Sequence, residues 1–182
     1  MRAHPALLIG LTTASLVLPA SVGVPRAEAP PDNGSPTLVE AVRDATARYR
    51  NIDNAFADGY VVNGGCVSGP ELGAMGVHLA KFSLFDAVLD VDSPEVLVYE
   101  PRQGGLHLVA AEYVTPAAAW NAAHPEATPQ LNGHLLHFTN GPNRYGPDAF
   151  YELHVWAWKL NPSSPFADWN PRVSCAEHTV DH

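Results

Sequence analysis

The first ordered pattern in the chain begins at Thr37. Leu38, Val42, Ala45, Tyr49 and Ile52 recur at helical spacing, with Arg43, Asp44, Arg48 and Arg50 largely off that stripe, which predicts a helix from Thr37 to about Asp58. Thr37 followed by Glu40 is a capping-box signature, and Gly59 is the stop. From Tyr60 to Phe138 the period shifts towards two. Strand candidates are Tyr60–Val62, Val77–Phe82, Glu95–Tyr99, Leu106–Val114 and His134–Phe138. Turn signals separate them at Gly64-Gly65, Gly69-Pro70, Asp92-Ser93-Pro94, Gln103-Gly104-Gly105 and Asn132-Gly133. Leu97 to Val109 reads as a hairpin, and Ala117 to Ala123 as a short helix closed by Pro125. Phe150 to Leu160 is the strongest strand candidate, followed by turn clusters at Asn161–Pro165 and Asp168–Pro171. A helix followed by strands without regular alternation predicts an α+β fold, with an N-terminal amphipathic helix packed on a mostly antiparallel sheet. A small cupin-like β-barrel is the alternative.

Before Thr37 the pattern is that of an address. Arg2, an apolar run from Ala6 to Leu18 and Ala27-Glu28-Ala29 read as a signal peptide over 1–29, with a cut near Ala20 as the alternative. The run is too short and broken for a membrane span of about 20 residues. Residues 30–36 read as a flexible N-terminus and 37–182 as a single globular domain, secreted or periplasmic, without stable membrane insertion after cleavage. The balance of 10 basic against 19 acidic residues, a net charge of −9, argues against nucleic acid as a partner. Export also decides how the two cysteines are read: Cys66 and Cys175 are expected to form a disulfide.

The residues that could carry chemistry sit on the predicted strands. In a strand running from Tyr151, one face carries Glu152, His154, Trp156 and Trp158, a mixture of titratable and aromatic side chains that could line a ligand pocket. His78 follows two glycines in Gly73-Ala74-Met75-Gly76-Val77-His78. Glu112 is flanked by Ala110, Ala111, Tyr113 and Val114, where a carboxylate is costly to bury unless paired or metal-bound. Glu100 ends the strand before Pro101. His78, Glu112 and His154 are therefore candidate ligands of one divalent transition metal, and Glu100, Glu152, Trp156 and Trp158 are candidate pocket residues. The same groups could do acid–base work, with His154 oriented by Glu100, Glu112 or Glu152. His134 and His137 would face opposite sides of a strand and make poor co-ligands. Asp86, Asp90 and Asp92 read as a solvated loop. No nucleophile elbow or phosphate-binding loop is present, and no catalytic residue is assigned.

Four strings carry a resemblance: Gly73–His78, Pro94–Pro101, Leu108–Val114 and Tyr151–Cys175. Together they resemble a family of uncharacterised secreted bacterial proteins with the pattern GxMGxH, YEP, LVAxE, YELHxW, NPxxxF and NPxVxC. Ser164-Pro165 stands where the family has a glycine before Phe166, and Leu79 stands where it has an aromatic. The resemblance implies an exported bacterial protein and no reaction. Three functions follow as expectations: binding of a metal ion or small ligand in a His/Glu/Trp-lined pocket, a metal-dependent or acid–base enzyme at the same place, or an envelope interaction protein without a chemical site.

Overall fold

The computed structural model describes Met1, residues 37–69 and residues 71–178. The predicted signal peptide, Met1 apart, and the predicted flexible segment lie outside these residues. Helix α1 (Leu38–Thr46) opens on the expected capping box: Thr37 Oγ1 accepts the Glu40 N–H, and the Glu40 carboxylate accepts the Thr37 N–H. The helix does not run unbroken to Asp58. A 3₁₀ turn spans Ala47–Arg50 and a second helix, α2, spans Ile52–Ala57. Asn51 makes the break, because its backbone is extended and its side chain accepts the Asp53 N–H, capping a new helix. The break leaves Tyr49 buried, with its carbonyl accepting from the Tyr99 hydroxyl at 2.8 Å.

The strands are β1 (Val61–Gly69), β2 (Gly73–Ala80), β3 (Val96–Arg102), β4 (Gly105–Pro116), then, after helix α3 (Ala117–Ala123), β5 (Gln130–Leu131), β6 (His134–Leu135), β7 (His137–Thr139) and β8 (Phe150–Val155). Six of them form one antiparallel sheet in the order β1-β2-β3-β4-β8-β7, curled into a half-barrel; β5 and β6 pair separately. Three expectations change. Gly64-Gly65 lies inside β1, at an irregularity between Val62 and Cys66, and not in a turn. His134–Phe138 is interrupted at the buried Leu136. The last strand stops at Val155, where the Ala157 N–H folds back onto the Val155 carbonyl.

Alternation sorts the side chains into two faces. One face packs Leu79, Leu97 and Tyr99 with Tyr49, Ala55 and Tyr60, and packs Ala111, Tyr113, Leu153 and Val155 with Leu38 and Val42. The other gathers Ala80, Val96, Val98, Ala110, Val114, Phe150 and Trp156 around Val173 of the tail. His78, Glu112, Glu152 and His154 share their parity with this second set and are buried. Two glycines of the GxMGxH string permit close approaches on this side. A Cβ at Gly73 would stand 2.2 Å from the Asn170 carbonyl oxygen, and one at Gly76 would stand 2.5 Å from that of Tyr99, both at positive φ. The tail is thereby docked, with Ala74 and Asn170 exchanging N–H···O bonds of 3.2 and 3.1 Å.

The tail is also fixed covalently. Cys66 of β1 and Cys175 form a disulfide that closes a loop of 109 residue steps. Chain entropy puts such a bridge at about 4–5 kcal/mol before native strain. The Cys66→Ser/Cys175→Ser variant is expected to lose roughly 2–5 kcal/mol in urea unfolding, and a loss under about 1 kcal/mol would show that the tail docks without it.

Glu95, just before β3, is buried and accepts the Val114 N–H at 3.0 Å. Burial pushes its pKa up to about 8, with Asp86 and Glu112 adding to the rise. In the unfolded chain the carboxyl returns to its ordinary value of 4.5, so it ionises there first and folding stability falls as pH climbs from about 4.5 to about 8. Glu95→Gln is expected to flatten that fall, read from urea unfolding at pH 5 and pH 8.

Candidate metal centre

The register of the sheet sets the site. Glu112 on β4 lies directly opposite His154 on β8. His78 on β2 pairs with Val98 of β3, so it reaches Glu112 across an intervening strand. The curl of the sheet makes that reach possible. His78 Nε2 stands 3.5 Å and His154 Nε2 3.8 Å from Glu112 Oε2, and all three side chains are 0% exposed. The two imidazole planes are close to perpendicular, at 89°. Donors about 2.1 Å from a common tetrahedral ion stand about 3.4 Å apart, so these separations fit one ion.

Two loop residues complete the surroundings of Glu112. Arg144 donates to its Oε1 and the Tyr145 hydroxyl to its Oε2. Arg144 also reaches Glu152 Oε2. The other oxygen of Glu152 meets His137 Nε2 at 2.9 Å and accepts from the Thr139 hydroxyl at 2.7 Å. Asp168, from the tail, places Oδ1 3.6 Å from His137 Nε2 and 3.6 Å from His154 Nδ1. With its imidazoles neutral, as they must be to ligate an ion, the network sets three carboxylates against one guanidinium, a deficit of two positive charges.

The electrostatics follow from that deficit. Burial opposes ionisation of Glu112, yet the charges of His154 and Arg144 overcome it and hold its pKa down at about 2. Burial, reinforced by the Arg144 and His154 charges, keeps His78 well below the usual histidine range, hence neutral and able to offer a lone pair. Burial works against a charged His154 as well, but there Glu112 and Asp168 prevail and its pKa is raised. Among the described residues, both ring nitrogens of His78 and both of His154 lack a hydrogen-bond partner, although each is buried. Buried polar atoms are nearly always paired. The Nε2 atoms of the two rings and the Glu112 carboxylate together are a donor set without its acceptor.

The remaining sequence candidates separate. Glu152 belongs to the network, and Trp156 stacks on His154 with ring planes 17° apart. Glu100 does not reach the site: Lys159, Arg102 and the Ser174 N–H hold its carboxylate, anchoring the tail. Trp158 is also elsewhere, because alternation ends with the strand at Val155. Its indole donates to Thr46 Oγ1 at 2.9 Å on the helical side, under the Arg50 guanidinium. His134 stacks on Phe166, apart from His137. Sequence reasoning did not find Arg144, Tyr145, His137 and Asp168. The one usable signal was Glu112 itself, since a carboxylate in an apolar run demands a cation from somewhere.

A surface cavity of about 740 Å³ lies between Gly64-Gly65 and the β3–β4 hairpin, and no residue of this network lines it. Asp168 lines a smaller cavity of about 280 Å³ with Leu72 and Trp169. Among the described residues no helix is long and apolar enough to cross a membrane. Compared with protein-family models, curated proteins and solved structures, the chain matches none.

Among the described residues Arg144 is the only guanidinium bridging Glu112 and Glu152. Arg144→Ala is expected to cost roughly 3–5 kcal/mol, the penalty of breaking a buried pair, with Arg144→Lys recovering part of it in the same urea titration. A cost near zero would mean that other cations balance the carboxylates.

Proposed function

We propose that this is an exported protein that holds one divalent transition-metal ion at His78, Glu112 and His154. The observation that carries the reading is the pair of buried imidazole Nε2 atoms, one from His78 and one from His154, that face Glu112 Oε2 without a hydrogen-bond partner among the described residues. Two imidazoles and a carboxylate suit the borderline ions, zinc, copper, iron and manganese among them. A divalent charge would also cancel the deficit left by Glu112, Glu152 and Asp168 against Arg144. Trp156 and the apolar side chains around it form the wall of the site, and Glu152 and Tyr145 orient Arg144 and Glu112.

The proposal favours binding over turnover, because all three donor side chains are fully buried. In fold, we read the helices as closing one face of an α+β half-barrel, with the ion seated on the other. Export is supported by the N-terminal pattern together with the disulfide. The likeness to the family of secreted bacterial proteins points the same way, and its motif positions include His78, Glu112, Glu152 and His154.

The test is elemental analysis of protein purified without a His-tag, beside a His78→Ala/His154→Ala variant. One ion per chain is expected, retained through dialysis and absent from the still-folded variant. Saturating metal should raise the wild-type melting temperature, since an ion at a hundred times its Kd adds about 2.7 kcal/mol to the folded state. Failure to retain or take up any divalent ion would overturn the reading.

A further inference from the structure

The site just described has no opening of its own. Its three donors are fully buried, so an ion must pass through some intermediate set of ligands. The structure offers one. His137, Glu152 and Asp168 present a ring nitrogen and two carboxylate oxygens within 4.8 Å of one another, a second group of metal-ligating type. Unlike the first, it reaches solvent, with His137 44% and Asp168 32% exposed at the side chain. Two observations join it to the interior. His154 lies between the groups, with Nε2 on the Glu112 side and Nδ1 on the Asp168 side. That Nδ1 is buried and has no hydrogen-bond partner, so a lone pair or a proton is free on the path between them.

We infer that His137, Glu152 and Asp168 form an outer cation site, the port through which a divalent transition-metal ion is loaded into the His78–Glu112–His154 site and released from it. Charge balance sets the occupancy. Three carboxylates and one guanidinium accommodate one divalent ion without excess charge and not two, so the outer group is a way-station and the inner group the resting position. An ion held by His137 and the carboxylates replaces the present His137–Glu152 contact. Handing over to His154 exchanges outer oxygen donors for inner nitrogen donors, which the borderline ions prefer. Arg144, bonded to both Glu112 and Glu152, holds the two carboxylates in register during the transfer.

This inference rests on the inner site being a metal site, and the experiment separates the two claims. Uptake of Co²⁺ and Zn²⁺ by metal-free wild type is followed in stopped flow, and release is followed on adding excess chelator. His137→Ala and Asp168→Asn are measured beside it, with circular dichroism as the check of folding. His137 touches none of the inner donors. His137→Ala is therefore expected to slow uptake and release alike, by tenfold or more, while changing Kd less than about threefold. Asp168→Asn should slow both as well, with a weaker Kd because Asp168 also faces His154. Removing a mere latch would have the opposite sign, since exchange would speed up. Unchanged or faster exchange in His137→Ala, with wild type binding one ion, overturns the port and leaves the inner site standing. An ion bound by wild type and equally by His78→Ala/His154→Ala overturns the inner site and the port with it, as does no binding at all.

Discussion

A carboxylate at the centre of an apolar sheet face is the constraint around which this molecule is arranged. Left alone, Glu112 would be protonated or would unfold its surroundings, since burying an isolated charge costs far more than a domain's net stability. What keeps it ionised is assembled from two separate stretches of chain: His154 from β8, and Arg144 with Tyr145 from the β7–β8 loop. Each contact depends on long-range register, so the site is a readout of correct sheet assembly. The helical face needs no such arrangement. It is filled by Leu79, Leu97, Tyr113 and their neighbours, and would serve any sheet of the same outline.

The two faces also differ in how well the sequence disclosed them. Period-two alternation locates β2, β3, β4 and β8, with β4 within two residues of its real limits and the ends of the others displaced by up to five, and it puts Glu152, His154 and Trp156 on one face. Glu112 stood out because its neighbours are apolar. The export reading made the cysteine pair a bridge, and the bridge is present. What escaped was set by contacts that leave no periodic trace. Arg144 and Tyr145 occupy a turn-rich segment, where local patterning reports backbone geometry and nothing of where a side chain reaches. Asp168 looked like a turn residue, and by its backbone it is one. Trp158 was assigned to the wrong side because alternation was extended three residues beyond the point where the strand ends.

The helix break at Asn51 teaches the same lesson on a smaller scale. The apolar stripe from Leu38 to Ile52 is real, and its members are mostly buried or partly buried. A stripe records which side chains face inwards and not whether the backbone between them is continuous. The polar residue at 51 competes for backbone N–H groups and starts a second helix. The 3₁₀ turn between the pieces carries Tyr49 into the core.

The disulfide joins these threads in time. Cys175 ends the tail that carries Asp168 across the concave face, and its partner Cys66 lies on the far edge of the sheet. In a reducing compartment that bridge does not form. The tail would then be held by its noncovalent contacts, among them those of Asn170, Glu100, Val173 and Trp156, and would lose its covalent anchor. On the proposed metal-binding reading, oxidation would complete the surroundings of the site. A chain oxidised only after crossing a membrane would then finish its binding site on the far side, and would draw its ion from that compartment's pool.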